Sequence, residues 1–317
     1  MVLVRNMPNL DKKNSIDNFD EIDLKEIFSN LWTGKWIILS FISSFSIIGV
    51  IYSLSLPNLY ESRALLVSTS PSNKSSIAQN YGSLASFAGI NISEGSDTNA
   101  MQAIEKMKSL SFFENSILPN IFLPDLMAFE SWSVIDNKSK YDSSSYDITN
   151  NTWVRKVTSP KEPRPSAQES FDIFMGHTSI AMDDATNFLY INIKHQSPHI
   201  AKEWTELLVN EINSFYRKKD KTEAEKASNY LNNLLSKTSL SEIKEVIATL
   251  LEQEMQKLTL IEANEFYVYE FIDPPAIMEK KSEPNRGLIC ILAAIFGGLL
   301  GIVCILLWSS FSKTKND

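Results

Sequence analysis

Cysteine and histidine are scarce in this chain of 317 residues, which contains two cysteines and three histidines. Both cysteines, Cys290 and Cys304, lie in one apolar run near the C-terminus. The rest of the chain therefore has no disulfide and no thiolate metal site. His195 and His199 are four residues apart, but Pro198 stands between them and disfavours a shared helical face. The sequence predicts no metal site and no cofactor.

Recognisable catalytic motifs are missing as well. The chain has no His-Glu-x-x-His pair, no Gly-x-Ser-x-Gly elbow and no Gly-x-x-x-x-Gly-Lys phosphate loop. A net charge of −8 disfavours nucleic acid as a partner, because phosphate binding needs a basic surface. We expect no catalytic residue, although any two of the 38 carboxylates could meet in the fold, which leaves glycosidase chemistry unsupported rather than excluded.

Charged residues are absent from two long apolar runs, at 36–56 and 287–308, which contain no Asp, Glu, Lys, Arg or His. Each run is long enough to cross a hydrocarbon core of roughly 30 Å as a helix. The first run begins after 35 residues and lacks an Ala-x-Ala-like exit, which favours a signal anchor over a cleaved signal. The sequence therefore predicts two transmembrane helices.

Lysine and arginine set the predicted orientation. The N-terminal tail, 1–35, carries five of these residues, and the C-terminal tail, 309–317, carries Lys313 and Lys315. Both tails are therefore expected in the cytoplasm, with residues 57–286 outside. Lys280, Lys281 and Arg286 oppose this orientation, but long loops translocate largely regardless of charge.

The pattern of residues 57–286 predicts an α+β fold. Strands are expected at 60–68, 187–193 and 267–272, the second of them covered on both faces. Helices are expected at 100–117, from Ser166 onward, and in a long helical extension at about 198–262, which begins with an unbroken pattern at 198–236. A helix over 198–236 would be roughly 58 Å long. The charged block at 217–226 is typical of a solvated helix surface, with pairing between subunits as the alternative.

Small residues recur at helical spacing in the second apolar run. Ala293, Gly297 and Gly301 follow one another every four residues, and Ala294 pairs similarly with Gly298. Such spacing lets helix backbones approach closely in lipid, within the helical hairpin or between subunits, although ordinary membrane-helix composition also produces it. Four serines of the first run could add hydrogen bonds, either to another helix or back to their own: Ser40, Ser43, Ser44 and Ser46.

Several segments resemble the Wzz-type chain-length determinants, or polysaccharide co-polymerases, of Gram-negative bacteria. The resemblance covers most of the chain from Ile22 onward, including the entry segment up to Trp36 and the stretch YGSLASFAGI at 81–90. It continues at 266–273, in the proline-rich approach to the second run at Pro274, Pro275 and Pro284, and in the glycines of that run. The chain departs from the family at 283–285, where Glu-Pro-Asn replaces the frequent Ser-Pro-Lys.

The resemblance implies a fold and a function. Members form homo-oligomeric rings in the inner membrane, with an α/β base and a long helix in the periplasm. They set the modal length of a polysaccharide, typically the O-antigen of lipopolysaccharide, made by a separate polymerase, and they are not known as enzymes. The expected partners are therefore further copies of the chain, the polymerase, membrane lipid and the growing glycan.

Three alternatives remain at this point. A co-polymerase for capsule or enterobacterial common antigen would keep the same architecture. A membrane-tethered periplasmic enzyme acting on glycans would need two carboxylates placed about a cleft. A sensor with an outer ligand-binding domain is disfavoured, because a cytoplasmic output domain is missing from the expected tails.

Overall fold

The computed structural model describes residues 31–69, 95–264 and 266–314, and the chain divides into two compact units. Unit 1 comprises residues 1–56 and 285–317, and unit 2 comprises residues 57–284. The N-terminal helical pattern that starts at Ile22 and the stretch at 81–90 lie outside the described residues.

Unit 1 contains two apolar helices. Helix α1 spans Lys35–Ser55, and the C-terminal helix, named α6 below, spans Arg286–Thr314. Both are long and apolar enough to cross a membrane, with mean hydropathies of 2.1 for α1 and 2.9 for Arg286–Trp308. The first begins one residue earlier than the predicted run, and the second continues past its predicted end.

Unit 2 is built on a four-stranded antiparallel sheet with the order β6-β7-β1-β8. The strands are β1, Tyr60–Ser68; β6, Thr178–Met182; β7, Leu189–His195; and β8, Tyr269–Asp273. The predicted bounds of β1 are confirmed, whereas β7 and β8 start two residues later than predicted. Strand β7 follows a turn in which Asn187 has a φ of 55° and donates its backbone N–H to Asp183.

One face of the sheet is buried and the other is partly open, so the prediction that the second strand is covered on both faces is wrong. Burial alternates along β7, with Leu189, Ile191, Ile193 and His195 inward and the residues between them half-buried. This alternation is the normal pattern of an antiparallel sheet that packs on one side only. Strand β6, which pairs with β7 at the edge, was not predicted at all.

Helix α4, Pro198–Lys237, covers the buried face of the sheet with about its first five turns, up to Tyr216. The apolar residues that predict one face of this helix are Trp204, Leu208, Ile212 and Phe215; the first three are at most 1% exposed and Phe215 is half-buried. Its 40 residues correspond to roughly 60 Å. Helix α5, Ser241–Ala263, returns beside it, and Leu240 occupies its N-cap position.

The predicted helix at 100–117 is interrupted. Helix α2 spans Gly95–Met107, and Ser109 adopts an extended backbone conformation that starts a separate turn, Leu110–Phe112. A π-helical turn, Phe113–Ile117, and a 3-10 turn, Leu118–Asn120, follow. Of the four apolar residues whose spacing of three predicts the helix, Ile104, Met107 and Phe113 are buried, whereas Leu110, at the start of the new turn, is 37% exposed.

The proline-containing region between these turns and β6 contains a short helical turn, Leu123–Met127, followed by two hairpins and a longer helix. The hairpins are β2–β3, Phe129–Ser133 with Lys138–Tyr141, and β4–β5, Tyr146–Asp147 with Thr152–Trp153. Helix α3, Ala167–His177, starts where predicted, because Ser166 and Glu169 form a capping box. Glu169 also accepts from Arg155 at 2.6 Å.

Candidate functional site

The two apolar helices of unit 1 pack along an antiparallel seam, and small residues occupy it. Gly34 faces Ile305, Ile38 faces Gly301, and Gly49 faces Ala293. From one pair to the next, the residue number rises on α1 and falls on α6, so the two helices are antiparallel. The structure thus brings three of the predicted packing residues, Ala293, Gly297 and Gly301, against α1 of the same chain.

Gly297 makes the tightest contact with the backbone of α1. A Cβ atom at this position would lie 2.8 Å from the carbonyl oxygen of Phe41 and 2.8 Å from the Cβ of Phe45. At Gly301 the corresponding atom would lie 3.0 Å from the Cα of Ile38. Both glycines are buried. Backbone atoms cannot rotate away as a side chain can, so any larger residue forces the helices apart.

The other two predicted packing residues make different contacts. Ala293 contacts α1 at Gly49, where an added Cβ would stand 2.6 Å from the Cβ of Ala293. Gly298 is half-buried, and a Cβ there would meet only the side chain of Ile42, at 3.5 Å. Ala293, Gly297 and Gly301 therefore form the seam on α6, and Gly298 lies at its margin.

The serines named in the sequence of the first run are not the residues that face α6. Ser40, Ser43 and Ser44 are exposed, and Ser46 is half-buried. The buried residues of α1 are Gly49 and Ser53, four apart. The small-x-x-x-small spacing that singled out α6 would have found this second pair on α1 as well.

The proline-rich approach to α6 runs beside the start of β1, within unit 2. Pro274 is exposed, Pro275 is buried and Pro284 is half-buried. Ser62 on β1 donates its hydroxyl to the carbonyl oxygen of Ala276 at 3.1 Å. The backbone of Leu59 also pairs with the approach segment. Its N–H donates to the carbonyl oxygen of Glu283, with 2.9 Å between nitrogen and oxygen, and its carbonyl oxygen accepts from the N–H of Ser282 at 2.8 Å. These bonds hold the segments that precede β1 and α6 side by side.

Glu283, where the chain departs from the family pattern, belongs to an ion-paired group. Lys194 on β7 lies 2.6 Å from Glu283 and 3.7 Å from Glu61 on β1. The hydrogen bond to Glu283 raises the pKa of Lys194, and burial opposes this shift. The carboxylate at 283 therefore ties the approach segment to two strands of the sheet.

The imidazole of His195 is enclosed within unit 2 and is only 2% exposed. Its Nδ1 accepts the backbone N–H of Ser197 at 3.0 Å, and its Nε2 lies 3.1 Å from the carbonyl oxygen of Asp125. Since that oxygen only accepts, Nε2 carries the proton. Burial lowers the pKa of His195 to about 4. This imidazole is neutral, and neither ring nitrogen is free to serve as a base.

The pKa of the neighbouring Asp125 carboxyl is shifted upward, opposite to that of His195. Burial raises its pKa to about 6, and the hydrogen bond from the Tyr141 hydroxyl, at 2.7 Å, opposes the shift. The ring of Phe129 lies against His195, at 4.4 Å between centroids, and closes this region with apolar surface. Within the described ranges, no group of three His, Cys, Asp or Glu residues could hold a metal ion.

The charged block at 217–226 is partly buried and paired within the chain. Lys218, Lys219, Glu223, Glu225 and Lys226 are exposed, as predicted for a solvated surface. Asp220 is 8% exposed and accepts from the Tyr267 hydroxyl at 2.5 Å. Lys221 pairs with Glu262 on α5, and Arg217 donates to the carbonyl oxygen of Asn264 at 2.6 Å. One edge of the block therefore holds the α4–α5 hairpin together.

Comparison with known proteins identifies a family match. Residues 20–117 match the family model described as Wzz, chain length determinant protein. The resemblance noted in the sequence is thus confirmed for this segment, which includes α1, β1 and α2. The later parts of the resemblance, at 266–286 and in the glycines of α6, lie outside the matched residues and stay predictions. No curated protein matches the chain in sequence.

Two solved structures give low overall similarity. A full-length bacterial polysaccharide co-polymerase is 13% identical, with a TM-score of 0.38, and the match covers 92% of this chain and 99% of that one. A fragment of WzzB, a polysaccharide co-polymerase from Salmonella Typhimurium, is 13% identical, with a TM-score of 0.28, covering 71% of this chain and 100% of that one. Because both TM-scores are below 0.5, these two structures do not establish the fold of this chain.

Proposed function

We propose that this chain is a Wzz-type polysaccharide co-polymerase of the bacterial inner membrane that sets the length of a surface polysaccharide, namely O-antigen. The observation that carries the proposal is the family match over residues 20–117. That segment runs through the first apolar helix into the central strand of the sheet, so it joins the membrane-type helix and the folded unit in one match.

Two transmembrane helices anchor the protein in this proposal. Helix α1 and the apolar part of α6 have the length and the hydropathy for it. Apolar side chains on the faces away from the seam are largely exposed, such as Ile51 at 65% and Leu299 at 57%, and lipid would cover them. Tails 1–35 and 309–317 are then cytoplasmic, and residues 57–286 form the periplasmic domain, with the predicted helical extension at about 198–262.

The protein regulates polymer length without making or breaking bonds. A glycan-active enzyme needs an accessible acid and base pair. His195 is enclosed and hydrogen-bonded at both ring nitrogens, so it is available neither as an acid nor as a base. The polymerase performs the chemistry, and this chain biases extension of the glycan against its release.

Assembly of several copies accompanies this role. Helix α5 carries exposed apolar side chains at helical spacing, at Ile243, Val246 and Leu250. Their exposed fractions, 45%, 59% and 42%, are typical of a surface that another protein covers. Because the seam glycines are already engaged within one chain, copies associate mainly through unit 2. The polymerase, the growing glycan or both then bind the assembly.

A deletion strain tests the function and identifies the polymer. Lipopolysaccharide, capsule and enterobacterial common antigen are compared on gels before and after deletion of this chain. The proposal predicts that O-antigen alone loses its modal length and that the full chain restores it. Loss of the pattern only in capsule or common antigen would reassign the polymer, and unchanged patterns in all three would contradict the proposal.

A further inference from the structure

We propose that the tip of the β2–β3 hairpin, Val134 and Ile135, inserts into the lipid headgroup region of the membrane. These two residues are called the apolar tip. The inference rests on the proposed membrane anchoring by α1 and α6. It assigns unit 2 a lipid contact of its own, independent of the two helices.

The apolar tip is unusually exposed. Val134 is 69% exposed and Ile135 is 94% exposed, the highest value among the large apolar side chains that the structure describes. Turn positions usually carry Gly, Asn, Asp, Ser or Pro, because those residues satisfy turn geometry and tolerate water. Adjacent exposed aliphatic residues at a hairpin tip therefore indicate a contact with an apolar environment.

The hairpin that presents the tip has a defined turn. The indole N–H of Trp132 donates to the side-chain oxygen of Asn137 at 3.0 Å. The backbone N–H of Asp136 lies 3.4 Å from the hydroxyl of Ser133, and Asn137 takes a φ of 47°. These contacts span the turn from both sides, so the two aliphatic side chains project from an ordered loop.

The hairpin lies at the end of unit 2 where the chain enters and leaves. The ring of Trp132 packs against Tyr60, at 5.6 Å between centroids, and against His199 at the start of α4, at 6.1 Å. Tyr60 begins β1, five residues after the last residue of α1, and the adjacent Leu59 pairs with Glu283, three residues before α6. The apolar tip is at most about 10 Å of chain beyond Trp132.

This location favours lipid over another protein as the occupant. Both connections to the membrane helices are short, since four residues separate α1 from β1 and Glu283 is three residues before α6, so the bilayer is within reach of this end of unit 2 along the chain. Tryptophan beside the tip suits the headgroup region, where its ring is partly apolar and its N–H finds a partner. Lys140 is neutralised by Glu130 at 2.7 Å, which leaves one charge of each sign, Asp136 and Lys138, next to the tip.

Site-specific fluorescence tests the proposal on the full chain. Cys290 and Cys304 are replaced by Ala, and single cysteines are introduced as Ile135→Cys, Leu240→Cys or Leu292→Cys. Each is labelled with an environment-sensitive fluorophore and reconstituted into phosphatidylethanolamine–phosphatidylglycerol vesicles. Emission is then measured with nitroxide-labelled lipid and, separately, with iodide as quencher.

The two reference positions define the scale. Leu292 is 56% exposed on α6 and reports on the proposed membrane span. Leu240 is 63% exposed between α4 and α5, at the far end of a helix roughly 60 Å long whose other end contacts the hairpin. It matches Ile135 as an exposed aliphatic residue in a loop of unit 2.

We expect nitroxide lipid to quench the label at positions 135 and 292, and iodide to quench it at position 240. Adding Val134→Asp to the Ile135→Cys protein should reduce lipid quenching and increase iodide quenching at 135, without changing position 292. Lipid quenching at 292 with iodide quenching at 135 would overturn the hairpin inference alone. Protection of 135 from both quenchers would overturn it in favour of a protein contact, and absence of lipid quenching at 292 would overturn the anchoring as well.

Discussion

The carbonyl oxygen of Phe41 lies 2.8 Å from the point where a Cβ atom at position 297 would be. Glycine is therefore the only residue type that fits at position 297 without moving α1 away from α6. This contact sets the closest approach of α1 and α6. Gly301 against Ile38 and Ala293 against Gly49 continue the same seam above and below it. The packing of the proposed anchor therefore depends on backbone-to-backbone contacts rather than on large side chains.

Gly297→Ala should weaken the packing of α1 against α6, whereas Gly298→Ala should be tolerated. Both variants add a single methyl group to the same helix. At 297 the methyl meets backbone, and the strain is of the order of 1–3 kcal/mol. At 298 it meets only the Ile42 side chain at an ordinary distance of 3.5 Å. Thermal unfolding of the detergent-solubilised chain measures the difference.

The larger variants Gly297→Leu and Gly301→Leu extend this prediction to function. Each should broaden the polymer length distribution when it replaces the original chain. Gly287→Leu is the control, because a Cβ there meets nothing closer than the Asn285 side chain at 3.7 Å. An unchanged modal length in both seam variants would show that this packing has no role in length control.

Asn213→Ala should destabilise unit 2 strongly. The side-chain oxygen of this residue, which is 5% exposed, accepts three consecutive backbone N–H groups at the start of β8, from Tyr267, Val268 and Tyr269. Its amide also donates to the carbonyl oxygens of Val209 and Tyr269. Each buried group left unpaired costs about 1–3 kcal/mol, so the total loss should be about 3 kcal/mol or more.

Urea unfolding followed by tryptophan fluorescence gives the value for this variant. Asn232→Ala, at an exposed position on the same helix, is the matched control and should leave the midpoint unchanged. Equal midpoints for the two variants would mean that the Asn213 side chain does not hold β8 against α4.

His195 should make the chain less stable in acid. Burial lowers its pKa in the folded state to about 4, below the value of 6.5 expected for the unfolded chain. The stability that neutral His195 contributes to the folded state is therefore fully present above pH 6.5 and is lost as the pH falls from 6.5 towards 4. The shift corresponds to roughly 3 kcal/mol at the acid limit.

His195→Gln removes the titrating group and should flatten the pH dependence in this window. The raised pKa of Asp125 contributes with the opposite sign, but it contributes to both proteins, so the difference between their unfolding curves isolates His195. Parallel curves for the two proteins between pH 7 and pH 4.5 would refute this assignment.

Within the charged block, replacing Asp220 should lower the stability of unit 2 more than replacing Lys221. Asp220→Ala leaves the half-buried hydroxyl of Tyr267 without its acceptor, at a cost of about 1 kcal/mol. Lys221→Glu breaks an exposed pair with Glu262, and the unfolding midpoint should change little. Polymer length should respond mildly to Lys221→Glu, and loss of expression with that variant would show that the pair is structural.

Periodic sequence patterns predicted the long elements of the fold well. The stripe through Trp204, Leu208 and Ile212 identified α4, because a helix that packs on a sheet needs apolar residues every three or four positions. The two uncharged runs predicted α1 and α6 because a membrane-spanning helix needs about 20 consecutive apolar residues. Spacing of small residues also indicated the α6 side of the seam at Gly297 and Gly301.

Local interactions that leave no periodic pattern explain the misses. Ser109 interrupts the predicted helix at 100–117 by capping a new turn, although the apolar spacing continues through it. Strand β8 starts late because Asn213, more than fifty residues away, takes the backbone N–H groups that would begin it. Strand β6 is short, and its consecutive apolar residues Ile180, Ala181 and Met182 give no alternating sequence pattern, although burial alternates along it. Gly49 is a different kind of miss, because its four-residue spacing from Ser53 is the same signal that indicated Gly297 and Gly301 on α6.

The most direct test of the account is the length distribution of O-antigen in a deletion strain with and without this chain, measured together with free oligosaccharide in the periplasm. A regulator that performs no chemistry on the glycan should restore a narrow modal length without releasing free oligosaccharide. The same distribution in both strains, or free oligosaccharide that appears only when the chain is present, would contradict it.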